Sequence, residues 1–338
     1  MKIYEHVDLR PFTTFGVKAE ARYMGRFASL NELKEMVSAR PAAGKELLVL
    51  GGGSNVLLTR NFPGLVLRNE IKGIEGVPYD EDRVLVTVGA GENWHGFVRW
   101  CIGKGYGGLE NLSLIPGSVG AGPMQNIGAY GVEIRETFHE LEAFHIASGE
   151  IHTFSNSDCE FGYRESAFKG RLKGQYIILG VRFLLSKKHR LKLEYGAISA
   201  ELEKMHVVEP GLDDVSQAVM RIRRSKLPDP AYLGNAGSFF KNPTLSIAQA
   251  EEITKFYPDV VKYPLDAGMV KIPAGWLIEK AGWKGMRKGQ CGVHVNQALV
   301  LVNYGGASGA EIAELSEAIK SDVRLKFGVA LESEVNIL

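Results

Sequence analysis

The sequence predicts an α+β fold, and three observations carry that expectation. Strand-like and helix-like apolar segments are mixed without the strict alternation that builds a doubly wound parallel sheet. Forty glycines stand in 338 residues, well above the usual ~7 %, and they gather where apolar runs end. The chain is 45 % apolar, enough for a sizeable core, yet no apolar run approaches the ~20 residues of a membrane helix. At ~150 residues per domain, about two domains are expected.

The elements follow in order. Ser29-x-x-Glu32 is a capping box that opens a helix running to Arg40, with Pro41 just past its end. Glu46 to Leu50 is a short strand leading into Gly51-Gly52-Gly53-Ser54-Asn55, and Val56–Leu58 and Leu65–Leu67 are short strands after it. Val84–Val88 repeats the arrangement, followed by Gly89-Ala90-Gly91 and an amphipathic helix from about Glu92 to Ile102. Beyond a long glycine-rich stretch, strands are expected near Phe138–Ala147 and Ile151–Phe154, joined by the turn Ser148-Gly149-Glu150. Tyr176–Leu185 is a further strand. Leu212, Val215, Ala218, Val219 and Ile222 form one helical stripe, which ends among Arg221, Arg223, Arg224 and Lys226. Pro228–Gly237 reads as a linker. After it come helices near Ser246–Phe256 and Ala274–Lys280, a strand at Gln297–Val302, a helix capped by Ser308-x-x-Glu311, and a last strand containing Leu331–Ile337. No internal repeat is present.

Composition excludes several classes. With 40 basic and 39 acidic side chains the net charge is +1, so no global positive field draws the chain to nucleic acid or an anionic membrane. Cys101, Cys159 and Cys291 are too scattered for a disulfide framework or a CxxC pair. The histidines show neither HExxH nor HxH spacing, and His139, His145 and His152 share no helical face, so no metal site is expected. The opening MKIYEHVDLR carries charge where a signal peptide needs its apolar core, which gives the expectation of a soluble, cytoplasmic protein.

The glycine clusters fall at Gly51–Gly53, Gly89 and Gly91, Gly103–Gly108 and Gly117–Gly131. Each alone reads as a turn; together they also suit loops where a ligand lies against bare backbone and N–H groups hold an anion. The standard nucleotide motifs fail. Gly103-Lys104-Gly105-Tyr106-Gly107-Gly108 satisfies GxGxxG but follows a helix and precedes none, so the dinucleotide fingerprint is out of context. Neither GxxxxGK[ST] nor a GxSxG nucleophile elbow occurs.

Taken in order, Gly51-Gly52-Gly53-Ser54-Asn55, Gly89-Ala90-Gly91-Glu92, Leu109-Glu110-Asn111-Leu112 and Ile115-Pro116-Gly117-Ser118-Val119-Gly120 through Gln125-Asn126-Ile127-Gly128-Ala129-Tyr130-Gly131 resemble the UDP-N-acetylenolpyruvoylglucosamine reductase family. Phe161-Gly162-Tyr163-Arg164-Glu165-Ser166, Lys226-Leu227-Pro228-Asp229-Pro230, Gly234 through Pro243, Ala274-Gly275-Trp276-Leu277-Ile278 and Leu331-Glu332-Ser333-Glu334-Val335 fit the same pattern, so the resemblance spans nearly the whole chain. It implies a bacterial flavoenzyme of peptidoglycan precursor synthesis, which reduces the enolpyruvyl ether of UDP-N-acetylglucosamine to UDP-N-acetylmuramate. It also implies non-covalently bound FAD, NADPH as co-substrate, and an FAD-binding module of the vanillyl-alcohol-oxidase (PCMH) type in two subdomains. These are expected at 1–72 and 73–227, before an α+β substrate-binding domain at 228–338.

The same resemblance implies roles for residues. Gly51, Gly53, Ser54, Asn55, Gly117, Ser118, Gly120, Gln125, Asn126 and Gly128 become flavin contacts. Arg164 matches the catalytic arginine, a guanidinium fork suited to a carboxylate on which charge accumulates. Ser238 matches the proton donor and Glu334 its acidic partner. Tyr130, Tyr195, Arg223, Lys226, Asn242 and Gln297 become substrate contacts, Tyr195 as the mobile tyrosine of one subtype. Without the resemblance, Arg164 and Glu334 read as members of surface ion pairs and Ser238 as a turn or cap. The charges after Leu212 then read as complements of a helix dipole. Three positions depart from the family pattern: Thr13 replaces an Asn, Ser333 a Pro, and Asn336 stands where an Arg is expected. A monomer or weak oligomer is expected, without nucleic-acid or membrane partners. Two other readings stay open: an FAD-dependent oxidase on the same fold, and a non-catalytic nucleotide-sugar binder.

Overall fold

The computed structural model describes residues 2–39 and 46–338. Helices and strands are mixed along the whole chain, as an α+β fold requires. The chain forms two compact units: Met1–Val7 with Ala21–Gly52 and Pro63–Ser225, and Asp8–Glu20 with Gly53–Phe62 and Lys226–Leu338. The second unit thus recruits two short N-terminal segments that lie far from it in sequence.

In the first unit the described residues form a four-stranded sheet in the order Ile3–Asp8, Glu20–Phe27, Phe62–Asn69, Leu47–Leu50. Its last pair is parallel, with Leu47 opposite Leu65. The helix Leu30–Ser38 covers it with Leu33 and Met36. Ser29 caps that helix by accepting from the Glu32 N–H, while the Glu32 carboxylate reaches one residue further back, to the N–H of Ala28. The helix end expected at Arg40 and Pro41 lies outside the described residues.

A second sheet is antiparallel throughout, in the order Ile151–Ser155, Phe138–His145, Tyr176–Ser186, Arg83–Gly89, Ile74–Pro78. Alternate residues of its strands, among them Val84, Val86, Val88, Val181, Phe183 and Leu185, are fully buried. They pack with Trp94, Phe97, Val98 and Cys101 of the helix Trp94–Gly103. The Leu212 stripe closes a smaller core: Val215, Ala218, Val219 and Ile222 of Leu212–Lys226 meet Ile198 and Leu202 of Gly196–Lys204.

In the second unit, Thr244–Ser246, Met269–Lys271 and Tyr263–Pro264 form one small sheet, and Arg287–Lys288, Cys291–Val293 and Leu301–Asn303 another. The capping box at Ser308 and Glu311 opens the helix Gly309–Phe327, which buries Ile312, Leu315, Ile319 and Val323 and ends on Gly328 at φ +67°.

Three expectations change. Pro228–Gly237 is packed rather than a loose linker: buried Asn235 donates from Nδ2 to the carbonyls of Pro228 and Leu233, and its N–H donates to the Thr14 carbonyl. The strand expected across Leu331–Ile337 is regular only at Asn336–Ile337, parallel to Val56–Leu57. Upstream, Ser333 makes a single bridge to Phe240. The strand expected at Gln297–Val302 forms at Leu301–Asn303, because the Gln297 carbonyl accepts from the Val300 N–H in a turn.

Candidate active site

The first unit brings two glycine loops into backbone contact. A Cβ on Gly51 would lie 1.9 Å from Ser118 Oγ, and one on Gly52 would lie 2.7 Å from Gly117 Cα. A Cβ on Gly120 would lie 2.6 Å from that of Ala90. Only glycine allows this approach, so the spacing read as candidate flavin loops also has a packing cause. Among the described residues, the N–H groups of Gly52 and Gly117 donate to no protein acceptor in the loop network. Neither 51–58 nor 115–131 contains an acidic side chain. Unused N–H donors without a competing carboxylate suit a diphosphate.

Asn126 turns the second loop. It is fully buried at φ +46°, donates from Nδ2 to Glu133 Oε2 (2.9 Å) and the Gly162 carbonyl (3.0 Å), and accepts at Oδ1 from the Arg135 N–H (3.2 Å). Its amide therefore holds the loop together from inside. Gln125 is half-buried beside it. The carbonyl of Gly128 accepts from Arg164 Nη2 at 2.7 Å. Arg164 itself sits at φ +58°, its guanidinium 5.4 Å from the centroid of the Tyr163 ring.

The arginine is joined by a second one. Arg223 lies near Arg164 and the Tyr130 side chain, and donates from Nε to the Leu114 carbonyl (3.2 Å). Burial pulls Arg223 below the usual arginine range, opposed by Tyr130, and raises the Tyr130 phenol. No carboxylate of the described residues pairs with Arg223. The Tyr130 ring meets that of Tyr195 edge-on at 5.4 Å, and Tyr195 is 49 % exposed at the start of its helix. Two guanidiniums beside two tyrosines form a positively charged, partly aromatic surface suited to an anionic ligand.

Asn111 belongs to this group, although sequence reading assigned it no role. It is buried and donates from Nδ2 to the carbonyls of Tyr130 and Lys192, both at 3.0 Å, so one amide ties together the chain segments that carry Tyr130 and Tyr195. Its Oδ1 is buried without a partner among the described residues. The Leu109-Glu110-Asn111-Leu112 motif was the available signal.

In the second unit, Ser238 and Glu334 come together through backbone. Ser238 bridges Val300, the Phe239 N–H donates to the Leu299 carbonyl, and the Phe239 carbonyl accepts from the Glu334 N–H at 2.8 Å. Both residues are half-buried. Asn55 fixes the other side of Glu334: its Nδ2 donates to the Glu334 carbonyl (3.2 Å), while its own carbonyl accepts from the N–H and Nδ2 of Asn336. Asn336, where the family pattern has arginine, thus serves as a strand clasp. Asn242 Oδ1 caps the helix Ala274–Lys280 by accepting from the Ala274 N–H (2.9 Å). Gln297 approaches the same helix start, since a Cβ on Gly275 would lie 3.2 Å from its Oε1. Lys226 is exposed and ends the helix Leu212–Lys226.

Gly53, at φ +61°, packs against the Phe12 carbonyl, which a Cβ there would strike at 1.9 Å, and Ser54 follows it. Beside this turn the Thr13 and Thr14 hydroxyls are buried without partners among the described residues, as is that of Ser333. Buried polar groups are rarely left so, and such orphans next to a glycine turn fit a site completed by a polar ligand. The residues present therefore suit a diphosphate-bearing cofactor such as FAD.

The fold and these loops define an FAD-containing oxidoreductase: residues 22–155 match the family model described as "FAD binding domain". Residues 229–338 match the model of the UDP-N-acetylenolpyruvoylglucosamine reductase C-terminal domain. Over 339 residues the chain is 49 % identical to the UDP-N-acetylenolpyruvoylglucosamine reductase of Flavobacterium johnsoniae, with all of both sequences covered. Against that of Pseudomonas aeruginosa identity is 49 % over 337 residues, covering 100 % of this chain and 99 % of the relative. The crystal structure of UDP-N-acetylenolpyruvylglucosamine reductase from Thermus caldophilus is similar at a TM-score of 0.68 and 26 % identity, covering 100 % of this chain and 99 % of the other. The chain belongs to the UDP-N-acetylenolpyruvoylglucosamine reductase family.

Proposed function

We propose that this chain reduces the enolpyruvyl ether of UDP-N-acetylglucosamine to the lactyl ether of UDP-N-acetylmuramate, with FAD bound non-covalently and NADPH as the source of electrons. The observation that supports the reading, beside family membership, is the backbone hydrogen bond from the Glu334 N–H to the carbonyl of Phe239, the residue that follows Ser238. A proton donor and a carboxylate carried on neighbouring backbone segments are what protonation of a carbanion needs.

Bound FAD supplies the two-electron hydride chemistry that no side chain provides. The loops around Gly51–Asn55 and Gly117–Gly128 would hold it through backbone N–H groups, with Thr13, Thr14, Ser54, Ser118 and Gln125 as polar neighbours. Hydride addition at the vinyl carbon places negative charge on the substrate carboxylate and its adjacent carbon. Arg164, held by the Gly128 carbonyl, stabilises that charge. Ser238 gives its proton to the adjacent carbon, a transfer to a strong base that runs downhill once the hydroxyl is positioned. Glu334 orients or re-protonates Ser238. Arg223, Lys226, Tyr130, Asn242 and Gln297 hold the nucleotide sugar, and exposed Tyr195 covers its diphosphate, as in the subtype with a mobile tyrosine. On this reading residues 1–72 and 73–227 form the flavin module and 228–338 the substrate domain. The enzyme acts in the cytoplasm, as a monomer or weak oligomer, without nucleic-acid or membrane partners. Among the described residues no helix is long and apolar enough to cross a membrane.

Half-reactions test this directly. The purified protein is expected to be yellow, to bleach anaerobically with NADPH, and to regain colour with enolpyruvyl substrate. Ser238→Ala should bleach at the normal rate and recover about 10²–10⁴-fold more slowly. Normal recovery in that variant would remove Ser238 from its role, and rapid reoxidation by oxygen alone would favour an oxidase.

A further inference from the structure

His95 is the second residue of the helix Trp94–Gly103 and has no assigned role in the reaction. Its Nδ1 accepts from the Leu114 N–H at 3.0 Å, and the Leu114 carbonyl accepts from Arg223 Nε at 3.2 Å. Leu114 is held at φ +58°, a left-handed conformation that is strained for a leucine and persists only where the surroundings fix it. Both of its backbone polar groups are fixed, one by His95 and one by Arg223. The arrangement is a relay: imidazole to strained backbone to guanidinium.

We propose that His95 is a positioning residue for substrate binding, whose unprotonated Nδ1 sets the Leu114 backbone in the conformation that aims Arg223. The inference rests on the reading of Arg223 as a substrate contact. An N–H donor pointing at Nδ1 requires that nitrogen to be a lone-pair acceptor, which fixes the tautomer with the proton on Nε2. Protonation at Nδ1 sets two donors against each other, releases Leu114 from its strained conformation, and removes the acceptor that holds Arg223 Nε.

The surroundings keep the ring in its accepting form at neutral pH. Burial lowers the His95 pKa from the usual histidine value, and three guanidiniums add to the effect. Arg99 comes from its own helix, and Arg224 and Arg223 come from the facing helix. The charge of Arg99 is in turn paired with Asp213. Arg223 also lies beside Tyr130, which stays a neutral phenol because burial raises its pKa. Histidine is therefore the group here that takes up a proton as pH falls.

The test uses the flavin-loaded full chain, with KM and kcat for the enolpyruvyl nucleotide sugar measured between about pH 7.5 and pH 5. In the wild type, KM should rise about fivefold or more on acidification while kcat changes less than about twofold, the signature of lost ground-state binding. His95→Asn places a non-titrating amide oxygen near the Nδ1 position; it should keep the neutral-pH KM and remain flat across the range. His95→Ala should show the raised KM at both ends, with flavin bleaching by NADPH unchanged. If His95→Asn follows the wild-type pH curve, or His95→Ala has a normal KM at pH 7.5, the inference is overturned. Should His95→Ala not fold, the comparison of His95→Asn with wild type still decides. Arg223→Ala separates the two layers. A normal KM in it discards the substrate role of Arg223. A raised KM there together with a normal one in His95→Ala discards only the relay.

Discussion

Asn126 shows how much one side chain contributes to this site. Its amide makes three hydrogen bonds inside a loop, and its backbone takes a conformation that an alanine pays for and an asparagine tolerates. Asn126→Ala should cost about 1–3 kcal/mol, because part-buried groups of Glu133, Gly162 and Arg135 lose a partner together. A denaturation midpoint, with flavin absorbance per polypeptide, checks this; an unchanged midpoint would mean that the loop is held elsewhere. Arg164, Tyr130 and Leu114 share the left-handed backbone of Asn126. Nothing in their identities announces this, because non-glycine residues adopt it only when tertiary contacts impose it. That is why Asn111 and His95 escaped sequence reading: each acts on the backbone of another residue, and a backbone acceptor leaves no mark in the sequence. Arg164 and Ser238 were legible because the segments around them have a recognisable residue pattern.

At the scale of the element, the glycine loops carry the strongest prediction. In Gly52→Ala the added Cβ meets backbone 2.7 Å away, at Gly117 Cα, and neither chain has a flexible end that can give way. That variant should lose most of its flavin absorbance. Gly103→Ala is the matched control: it ends a helix, has negative φ and meets nothing within 4 Å. It should keep its flavin and gain up to about 1 kcal/mol from reduced unfolded-state freedom. Equal flavin content in the two variants would show that the tight Gly52–Gly117 approach is irrelevant to cofactor retention. Local signals located most helices here. Ser29, Ser246 and Ser308 each cap the helix that begins after them, because a cap needs only a side-chain oxygen and the next turn. Strands were harder: Ile3–Asp8 and Glu20–Phe27 gave no clear signal, since their stability comes from distant partners.

For the whole molecule, the titrating groups set a pH window of stability. His95 and His294 have pKa values lowered mainly by burial, so the unfolded chain takes up protons first and stability falls as pH drops below ~6.5. Asp158 and Glu311, lowered by hydrogen bonds from Ser155 and Ser308, act in the same direction at lower pH. The three thiols act on the other side. Burial raises Cys101 and Cys291 and pushes Cys159 up to about 12, so unfolded thiols ionise first and stability falls above ~8.5. Melting temperatures should therefore peak between these limits; a continued rise to pH 10 would contradict the thiol burial. Consistently, a thiol reagent at neutral pH should label the native protein far more slowly than the unfolded one.

By itself the sequence determined the α+β class, the capped helices, the glycine loops and the ordered motifs that mark the reductase family, because each depends on residues close together in the chain or on their order. Only the tertiary structure decided that Asp8–Glu20 and Gly53–Phe62 join the C-terminal unit, that Asn55 ties the Glu334 carbonyl to Asn336, and that His95 reaches Arg223 through Leu114. The physical reason is common to all three. These contacts join residues remote in sequence through backbone N–H and C=O groups, which every residue carries and which no side-chain pattern can reveal.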